Sequence, residues 1–226
     1  MTITSLTLHF FEPGLLALLF PRQKKKNPQP VDGVWTQQRS KLVGTGALGD
    51  AGQGASVALS ADGNTAIVGG PVDNSNTGAA WVYTRSGGVW TQLDNKLIGA
   101  GAVGNARQGV SVALSADGST AIVGGVEDKS YSGAAWVYSR SGTVWTQQAN
   151  KLVGTDAIGS AGQGHSVALS ADGNTAIVGG LADNRVRGAA WVYRRGGGVA
   201  NIAETELHTY RSAAAPLKSC VSLRGR

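Results

Sequence analysis

Short apolar runs separated by glycine-containing turns recur along most of the chain. The runs Ser56–Ser60 (SVALS) and Thr65–Gly70 (TAIVGG) flank the turn Ala61–Asn64, whose Asp-Gly step favours a tight hairpin. A second pair, Gly78–Arg85 (GAAWVYTR) and Val89–Gln92 (VWTQ), flanks a Ser-Gly-Gly turn. None of these runs has helical periodicity. Two such hairpins predict a four-stranded antiparallel sheet.

Both faces of the third strand in this sheet are apolar. Trp81 and Tyr83 share one face, and Ala80 and Val82 share the other, because side chains alternate along a strand. Large aromatic side chains on one face and small side chains on the other allow neighbouring sheets to interdigitate. We therefore expect each sheet to pack between two others.

The same unit occurs three times without insertion or deletion. Trp35, Trp90 and Trp145 mark its start and lie 55 residues apart. A period of this length with β-type segments alone is typical of propeller blades. We predict an all-β fold, a partial β-propeller of about three four-stranded antiparallel blades that is not closed within this chain. It covers residues 31–199, with units at about 35–89, 90–144 and 145–199.

Composition and charge narrow the possible functions. The chain has 226 residues, 34 glycines and 15% charged residues, which is typical of a turn-rich β protein. Its net charge of +6 is spread evenly, since residues 1–32, 33–199 and 200–226 contribute +2 each. We expect no nucleic-acid partner, because phosphate binding needs clustered cations. The single cysteine, Cys220, excludes an intrachain disulfide and a cysteine-based zinc site.

The two ends of the chain differ from the repeats. Residues 1–30 combine an apolar run with a basic, proline-containing linker. This segment is either a targeting or anchoring segment or a leader outside the native fold, and its apolar run is too short for a stable membrane span. Residues 200–226 lack the repeat pattern, and we expect the repeat array to be interrupted after Val199.

The strand order leaves the repeat array incomplete at both ends. Val34–Gln38 supplies a lone fourth strand, and three sets of first to third strands follow it. The two terminal blades would then each leave a face bearing Trp and Tyr uncovered. We therefore expect self-association instead of a well-formed monomer.

One glycine pattern invites a different interpretation. Gly44-x-Gly46-x-x-Gly49 follows an apolar run, as in the phosphate-binding turn of dinucleotide enzymes. Such a turn opens a helix, whereas β-type segments follow here, and Asp156 replaces the second glycine in the third copy. We therefore expect no dinucleotide cofactor.

The repeats resemble the FG-GAP repeats, which form the blades of integrin α-subunit-like β-propellers, and especially their bacterial branch. The resemblance rests on Gln53–Pro71 (QGASVALSADGNTAIVGGP), its two further copies, and the sequence GAAWVY that closes each unit. The name-giving Phe-Gly is Gln53-Gly54 here, and Gly-Ala-Pro is Gly69-Gly70-Pro71 in one copy only. The resemblance implies a propeller fold and an extracellular or cell-surface location.

The connection between the second and third strands differs most between copies. Residues 71–77, 126–132 and 181–187 share only an aspartate. Loops on a rigid scaffold can carry recognition, and drift of an unconstrained loop explains the variation equally well. The candidate residues for binding an unknown protein or glycan partner are Asp73, Asn74, Asp128, Tyr131, Asp183, Arg185 and Arg187.

Calcium is the cofactor that the FG-GAP resemblance implies. Asp62, Asp117 and Asp172 are each the only acid in their turn, which favours a hairpin aspartate bonded to local backbone N–H groups over a calcium ligand. Weaker metal candidates are the loop aspartates Asp73, Asp128 and Asp183, for which a solvated loop is the favoured alternative. We expect no cofactor.

Evidence for a catalytic site is sparse. His165 replaces Ala55 and Val110 of the other copies, and no base accompanies the recurring strand serines Ser56, Ser111 and Ser166. We therefore predict that the chain is not an enzyme but a repeat scaffold, a binding or adhesion-type propeller module. The alternatives are a fragment of a propeller enzyme and a calcium-dependent adhesion domain.

Overall fold

A computed structural model describes residues 34–196. The chain divides into two units, Met1–Lys41 and Leu42–Arg226. The described part of the first unit, residues 34–41, contains no helix or strand. The segments predicted at residues 1–30 and 200–226 lie outside the described residues.

The second unit contains three antiparallel sheets, called blades 1 to 3 here, whose strands follow one another in chain order. Blade 1 consists of β1 (Ser56–Leu59), β2 (Thr65–Gly70), β3 (Ala79–Ser86) and β4 (Val89–Gln92). Blade 2 consists of β5 (Gln108–Leu114), β6 (Thr120–Gly125), β7 (Ala134–Ser141) and β8 (Val144–Gln147). Blade 3 consists of β9 (Gln163–Leu169), β10 (Thr175–Gly180) and β11 (Ala189–Arg194).

This arrangement confirms the predicted all-β, partial β-propeller. Blades 1 and 2 have four strands each, blade 3 has three within the described residues, and the blades do not close into a ring there. The lone strand predicted at Val34–Gln38 is wrong, because this segment is not in a strand and Trp35 is 99% exposed. The same sequence in β4 becomes a strand by pairing along β3.

Adjacent blades pack large side chains against small ones. The aromatic face of blade 2, with Trp136 and Tyr138, shares one buried cluster with Ile67, Ala80 and Val82 of blade 1. An equivalent cluster joins blades 2 and 3. Each fully buried aromatic or branched side chain stabilises the stack by roughly 1.5–3 kcal/mol of transfer free energy. The predicted interdigitation is therefore confirmed.

The inner strands bring adjacent backbones into direct contact. A side chain on Gly69 would overlap the backbone of Gly109 in the next blade, so this position has to be glycine. Beside it, the Ser56 hydroxyl donates a hydrogen bond of 2.8 Å to the Gly109 carbonyl. Ser111 and Gly164 form the same contact between blades 2 and 3, at 2.7 Å.

The Gly44–Gly49 stretch is a packing loop and opens no helix. Gly44 packs against the Trp81 indole so closely that a Cβ would overlap the ring. The indole N–H donates to the Thr45 carbonyl at 2.8 Å. The Gln53 amide bonds both the N–H and the C=O of Gly44. Gln53 therefore holds the loop that buries the blade's tryptophan.

The two outer faces of the stack differ from the expectation. Trp81 and Tyr83 of blade 1 are buried beneath the chain's own loop, so the expected uncovered Trp and Tyr face is wrong for blade 1. Other apolar side chains are uncovered there: Val57 is 68% exposed, whereas its counterpart Val112 in blade 2 is 8% exposed. On blade 3, Val192 is 68% exposed.

The glycine–indole contact yields a stability prediction. Gly99 in blade 2 repeats the Gly44 contact, here against Trp136. Gly99→Ala should lower the free energy of unfolding by about 1–3 kcal/mol, because the methyl group overpacks the indole. Ala100→Ser, at the exposed neighbouring position, should change it by less than about 0.5 kcal/mol. Urea denaturation measures both, and equal stability of the two variants would contradict the packing role of Gly99.

Candidate functional site

The variable connections fold into three short helical turns with the same unusual backbone. They are turn 1 (Asp73–Asn76), turn 2 (Asp128–Tyr131) and turn 3 (Asp183–Val186). In turn 1, Asn74 has φ 49°, Ser75 has φ 54° and Asn76 has φ 71°, and the other two turns repeat this left-handed run. A left-handed helical conformation costs roughly 1–2 kcal/mol per non-glycine residue. Contacts around each turn therefore have to hold it.

The aspartate that opens turn 1 supplies these contacts. Asp73 is fully buried, and its Oδ1 accepts a hydrogen bond of 2.8 Å from the Leu48 N–H. Its Oδ2 pairs with Lys96 Nζ at 2.5 Å, in the connection that leads to blade 2. Its carbonyl accepts the Gly78 N–H at 2.9 Å and closes the turn. Asp73 thus joins turn 1, the packing loop and the connection to the next blade.

Turns 2 and 3 repeat this arrangement with one difference. Asp128 accepts the Val103 N–H at 2.7 Å and pairs with Lys151 Nζ at 2.5 Å. Asp183 accepts the Ile158 N–H at 2.6 Å. Within residues 34–196, Asp183 has no lysine partner.

The burial of these aspartates corrects two predictions. Asp73, Asp128 and Asp183 are all buried, so their side chains are not exposed for direct contact with a partner. The ammonium groups of Lys96 and Lys151 already neutralise the first two carboxylates and would repel a cation there. For Asp73 and Asp128, the weak assignment of a metal is therefore replaced by a structural role. In the described part of the chain, no group of three or more His, Cys, Asp or Glu could hold a metal ion.

The remaining candidates are exposed side chains on or beside the same turns. Asn74 lies in turn 1, Tyr131 ends turn 2 with 54% of its surface exposed, and Arg185 and Arg187 lie in and just after turn 3. Each turn connects the second and third strands of its blade, so all three lie at the same end of their blades. Lys129 in turn 2 is also exposed, and the sequence interpretation missed it.

Sequence reasoning also missed the lysines that bind the aspartates. A signal for them was present, because Lys41, Lys96 and Lys151 recur with the period of the repeat, as the aspartates do. Arg107 and Glu127 form a further ion pair at 3.1 Å, and this pair does not recur in the other copies.

The hairpin aspartates have the predicted local role. Asp117 accepts hydrogen bonds from the Ser115 hydroxyl at 2.6 Å and the Ser119 N–H at 2.9 Å. These bonds, that of the Ser115 hydroxyl above all, lower the pKa of Asp117 to about 2. Equivalent bonds lower the pKa of Asp62 and of Asp172. Each carboxylate therefore joins the two sides of its own turn by local hydrogen bonds.

The recurring strand serines and His165 have different surroundings. Ser56 and Ser111 donate their hydroxyls to glycine carbonyls of the next blade, as described above. His165 lies exposed in β9. Among residues 34–196, no helix is long and apolar enough to cross a membrane.

Together the blades and turns define a partial β-propeller that presents variable turns at one end. Solved structures with a similar fold include hydrazine synthase of Kuenenia stuttgartiensis (17% identity, 69% of this chain and 36% of that chain, TM-score 0.39). They also include the periplasmic gluconolactonase PpgL of Pseudomonas aeruginosa (18% identity, 62% of this chain and 39% of that chain, TM-score 0.41). The chain thus spans less than half the length of either protein. No protein-family model matches the sequence, and neither does any curated protein.

This comparison corrects the prediction that the chain is not an enzyme. A gluconolactonase is an enzyme, and it is among the structures with a similar fold. A propeller-type fold without an evident catalytic motif is therefore no ground for excluding catalysis, since one fold hosts many functions.

The lysine–aspartate pair yields the second stability prediction. Asp128→Ala should destabilise the fold by about 3–5 kcal/mol, because it leaves the largely buried Lys151 charge without its partner. Asp183→Ala is the matched control at concentrations where the chain is monomeric, since it removes the same backbone hydrogen bond but separates no lysine pair within the described residues. It should cost about 1–3 kcal/mol. Thermal and urea unfolding measure the difference, and an equal loss in both variants would argue against the ion pair.

Proposed function

We propose that this chain is a binding scaffold that recognises a protein partner through turns 1 to 3. One observation carries the proposal: three turns share the same left-handed backbone and the same buried aspartate, yet expose different side chains. The free-energy cost of the left-handed backbone recurs in all three turns, at the positions whose side chains vary most between copies. A rigid turn loses little freedom on binding, which favours affinity.

The exposed chemistry supports a protein partner with an acidic surface. Tyr131 and Arg185 belong to residue types that anchor protein interfaces most often. Lys129, Arg185 and Arg187 make the turns of blades 2 and 3 basic, and complementary charge speeds and orients docking. A glycan partner, the other possibility from the sequence, has no specific observation in its favour.

The FG-GAP resemblance extends this proposal. We propose that the blades are FG-GAP-like repeats of an adhesion-type module that acts outside the cell or at its surface. The match of Gln53–Pro71 and its two copies supports this. The calcium dependence implied by the same resemblance draws no support from Asp73 and Asp128, whose carboxylates pair with lysines.

Substitution of the exposed turn residues tests partner binding. The variant Tyr131→Ala/Arg185→Ala/Arg187→Ala should keep its unfolding midpoint and lose partner binding by at least about a hundredfold, the effect of removing hot-spot side chains. The control Arg194→Ala/Arg195→Ala removes two exposed arginines at the opposite end of blade 3 and should bind normally.

Affinity capture with labelled parent and variant chains, followed by titration of the captured protein, measures this effect. Equal binding by parent and triple variant would rule out the turns as the site. Capture that is lost on chelation would favour the calcium-dependent adhesion alternative. A glycan array that binds the parent and not the triple variant would replace the protein partner by a glycan.

We also propose that copies of the chain associate through the outer faces of blades 1 and 3. The supporting observation is the exposure of Val57 and Leu59 on blade 1 and of Ile177 and Val192 on blade 3. Their counterparts between blades are buried or partly buried. Exposed apolar patches of this kind mark interaction surfaces.

Light scattering after size exclusion tests self-association. The parent chain should elute with a mass of at least two copies, and Val192→Asp should shift it towards one copy by placing a charge in the interface. Val144→Asp is the control, because Val144 is similarly exposed but lies at the hairpin end of β8. A parent chain that is monomeric over the whole concentration range would refute this proposal.

A further inference from the structure

The contacts between successive blades are periodic, and within residues 34–196 one half of each contact has no partner at either end of the three blades. Building on the self-association proposed above, we propose that a second copy of this chain completes blade 3. The segment Val34–Gln37 of the second copy adds to β11 as a fourth strand, and blade 1 of that copy packs on the outer face of blade 3.

The segment Val34–Gln37 has the sequence of a fourth strand. The sequence VWTQ forms β4 along β3 and β8 along β7, and it occurs a third time at Val34–Gln37, where no strand is formed. On the other side, β11 has no neighbour on its outer edge within residues 34–196. A sheet edge with unpaired backbone groups is a template for another strand.

The register of the added strand follows from the existing blades. Thr84 lies opposite Thr91 in blade 1, and Ser139 lies opposite Thr146 in blade 2. One further step of the repeat places Arg194 opposite Thr36 of the second copy.

Asp183 and Lys41 have complementary charges. The buried aspartates of turns 1 and 2 each pair with a lysine that follows a VWTQ strand, whereas Asp183 has no such partner among the described residues. Lys41 follows Val34 at the spacing with which Lys96 follows Val89. It is exposed and makes no ion pair within residues 34–196. The docked strand therefore places Lys41 of the second copy beside Asp183.

Two further contacts support the same register. The Ala100 N–H donates to the side chain of Gln147 at 2.7 Å, so the Thr155 N–H would donate to Gln37 of the second copy. The serine–glycine contact between inner strands would continue from Ser166 to Gly54 of the second copy. Strand, ion pair, amide and serine contacts thus all require one and the same placement.

The apolar surfaces are complementary in the same way. Ile67 and Val82 of blade 1 are buried against blade 2, and their counterparts Ile177 and Val192 form the outer face of blade 3. Val57 on the outer face of blade 1 corresponds to Val112, which is buried where blades 1 and 2 meet. Because the joint uses two different surfaces, it is heterologous. A closed pair of chains would contain six blades, within the range of about four to eight for propellers.

Disulfide trapping between separate chains tests the strand addition. In a Cys220→Ser background, a tagged Thr36→Cys chain is mixed with an untagged Arg194→Cys chain and oxidised. Opposed residues of an antiparallel pair have the Cα separation that a disulfide needs. Ser139→Cys/Thr146→Cys within blade 2 is the positive control. Ser40→Cys with Arg194→Cys is the out-of-register control, about 13 Å away along the strand.

The expected result is a cross-linked heterodimer of Thr36→Cys with Arg194→Cys, at several-fold higher yield than with Ser40→Cys.

If light scattering shows association but the mixture gives no specific cross-link, strand addition is overturned and self-association stands. If the parent chain is a monomer, both strand addition and self-association are refuted. If the cross-link forms only within a single chain carrying both substitutions, the chain completes its own sheet and the proposal is overturned. If a peptide of residues 197–226 protects the thiol of the Arg194→Cys chain from oxidation, that segment occupies the edge, and the proposal is also overturned.

The ion pair offers an independent test. Lys41→Gln should raise the dissociation constant of the association at least about tenfold, since it leaves the buried Asp183 carboxylate unpaired. Arg39→Gln removes an exposed positive charge of the same segment to which the proposed joint assigns no contact; it is the control and should leave the constant unchanged. Equal constants for the two variants would contradict the placement of Lys41.

Discussion

A blade whose two faces are both apolar is stable only when something covers each face. In this chain the aromatic face of blade 2 packs on blade 1, and its opposite face packs on blade 3. The other features follow from this requirement. Gly69 lets adjacent backbones touch, Ser56 fixes their spacing, and Asp73 links the turn of one blade to the connection that leads to the next. The variable turns can differ because none of these contacts uses their exposed side chains.

The fold could be predicted from the sequence because the same pattern occurs in all three copies of the repeat. Hairpins around Asp-Gly turns, alternating aromatic and small side chains, and a strict period predicted the strands and their packing. The prediction failed at Val34–Gln38, whose residues are those of a strand. Pairing along a third strand is a tertiary contact, and local sequence cannot supply it.

From the sequence, candidate binding residues were placed in the variable connections, and their role in binding stays a prediction. The shared aspartate was assigned to binding together with them. Its burial and its lysine partner depend on how the Leu48 loop and the Lys96 connection converge in space. The left-handed backbone was also hidden, because Asn, Lys and Ser carry no specific signal for three consecutive residues of positive φ. Gln53 departs from the Phe-Gly of the resemblance, and nothing in the local sequence indicates that its amide binds both the N–H and the C=O of Gly44.

The spacing of the Asp–Lys pairs has a consequence for synthesis on the ribosome. Asp73 and Lys96 are 23 residues apart, so the carboxylates of blades 1 and 2 emerge before the ammonium groups that neutralise them. The indole of Trp81, by contrast, meets a packing loop that has already been made. Blades 1 and 2 thus bury their tryptophans first, and their aspartates are neutralised only when the beginning of the next repeat appears. Contacts this close in sequence favour stepwise folding from the N-terminus, with every finished blade serving as the template for its successor.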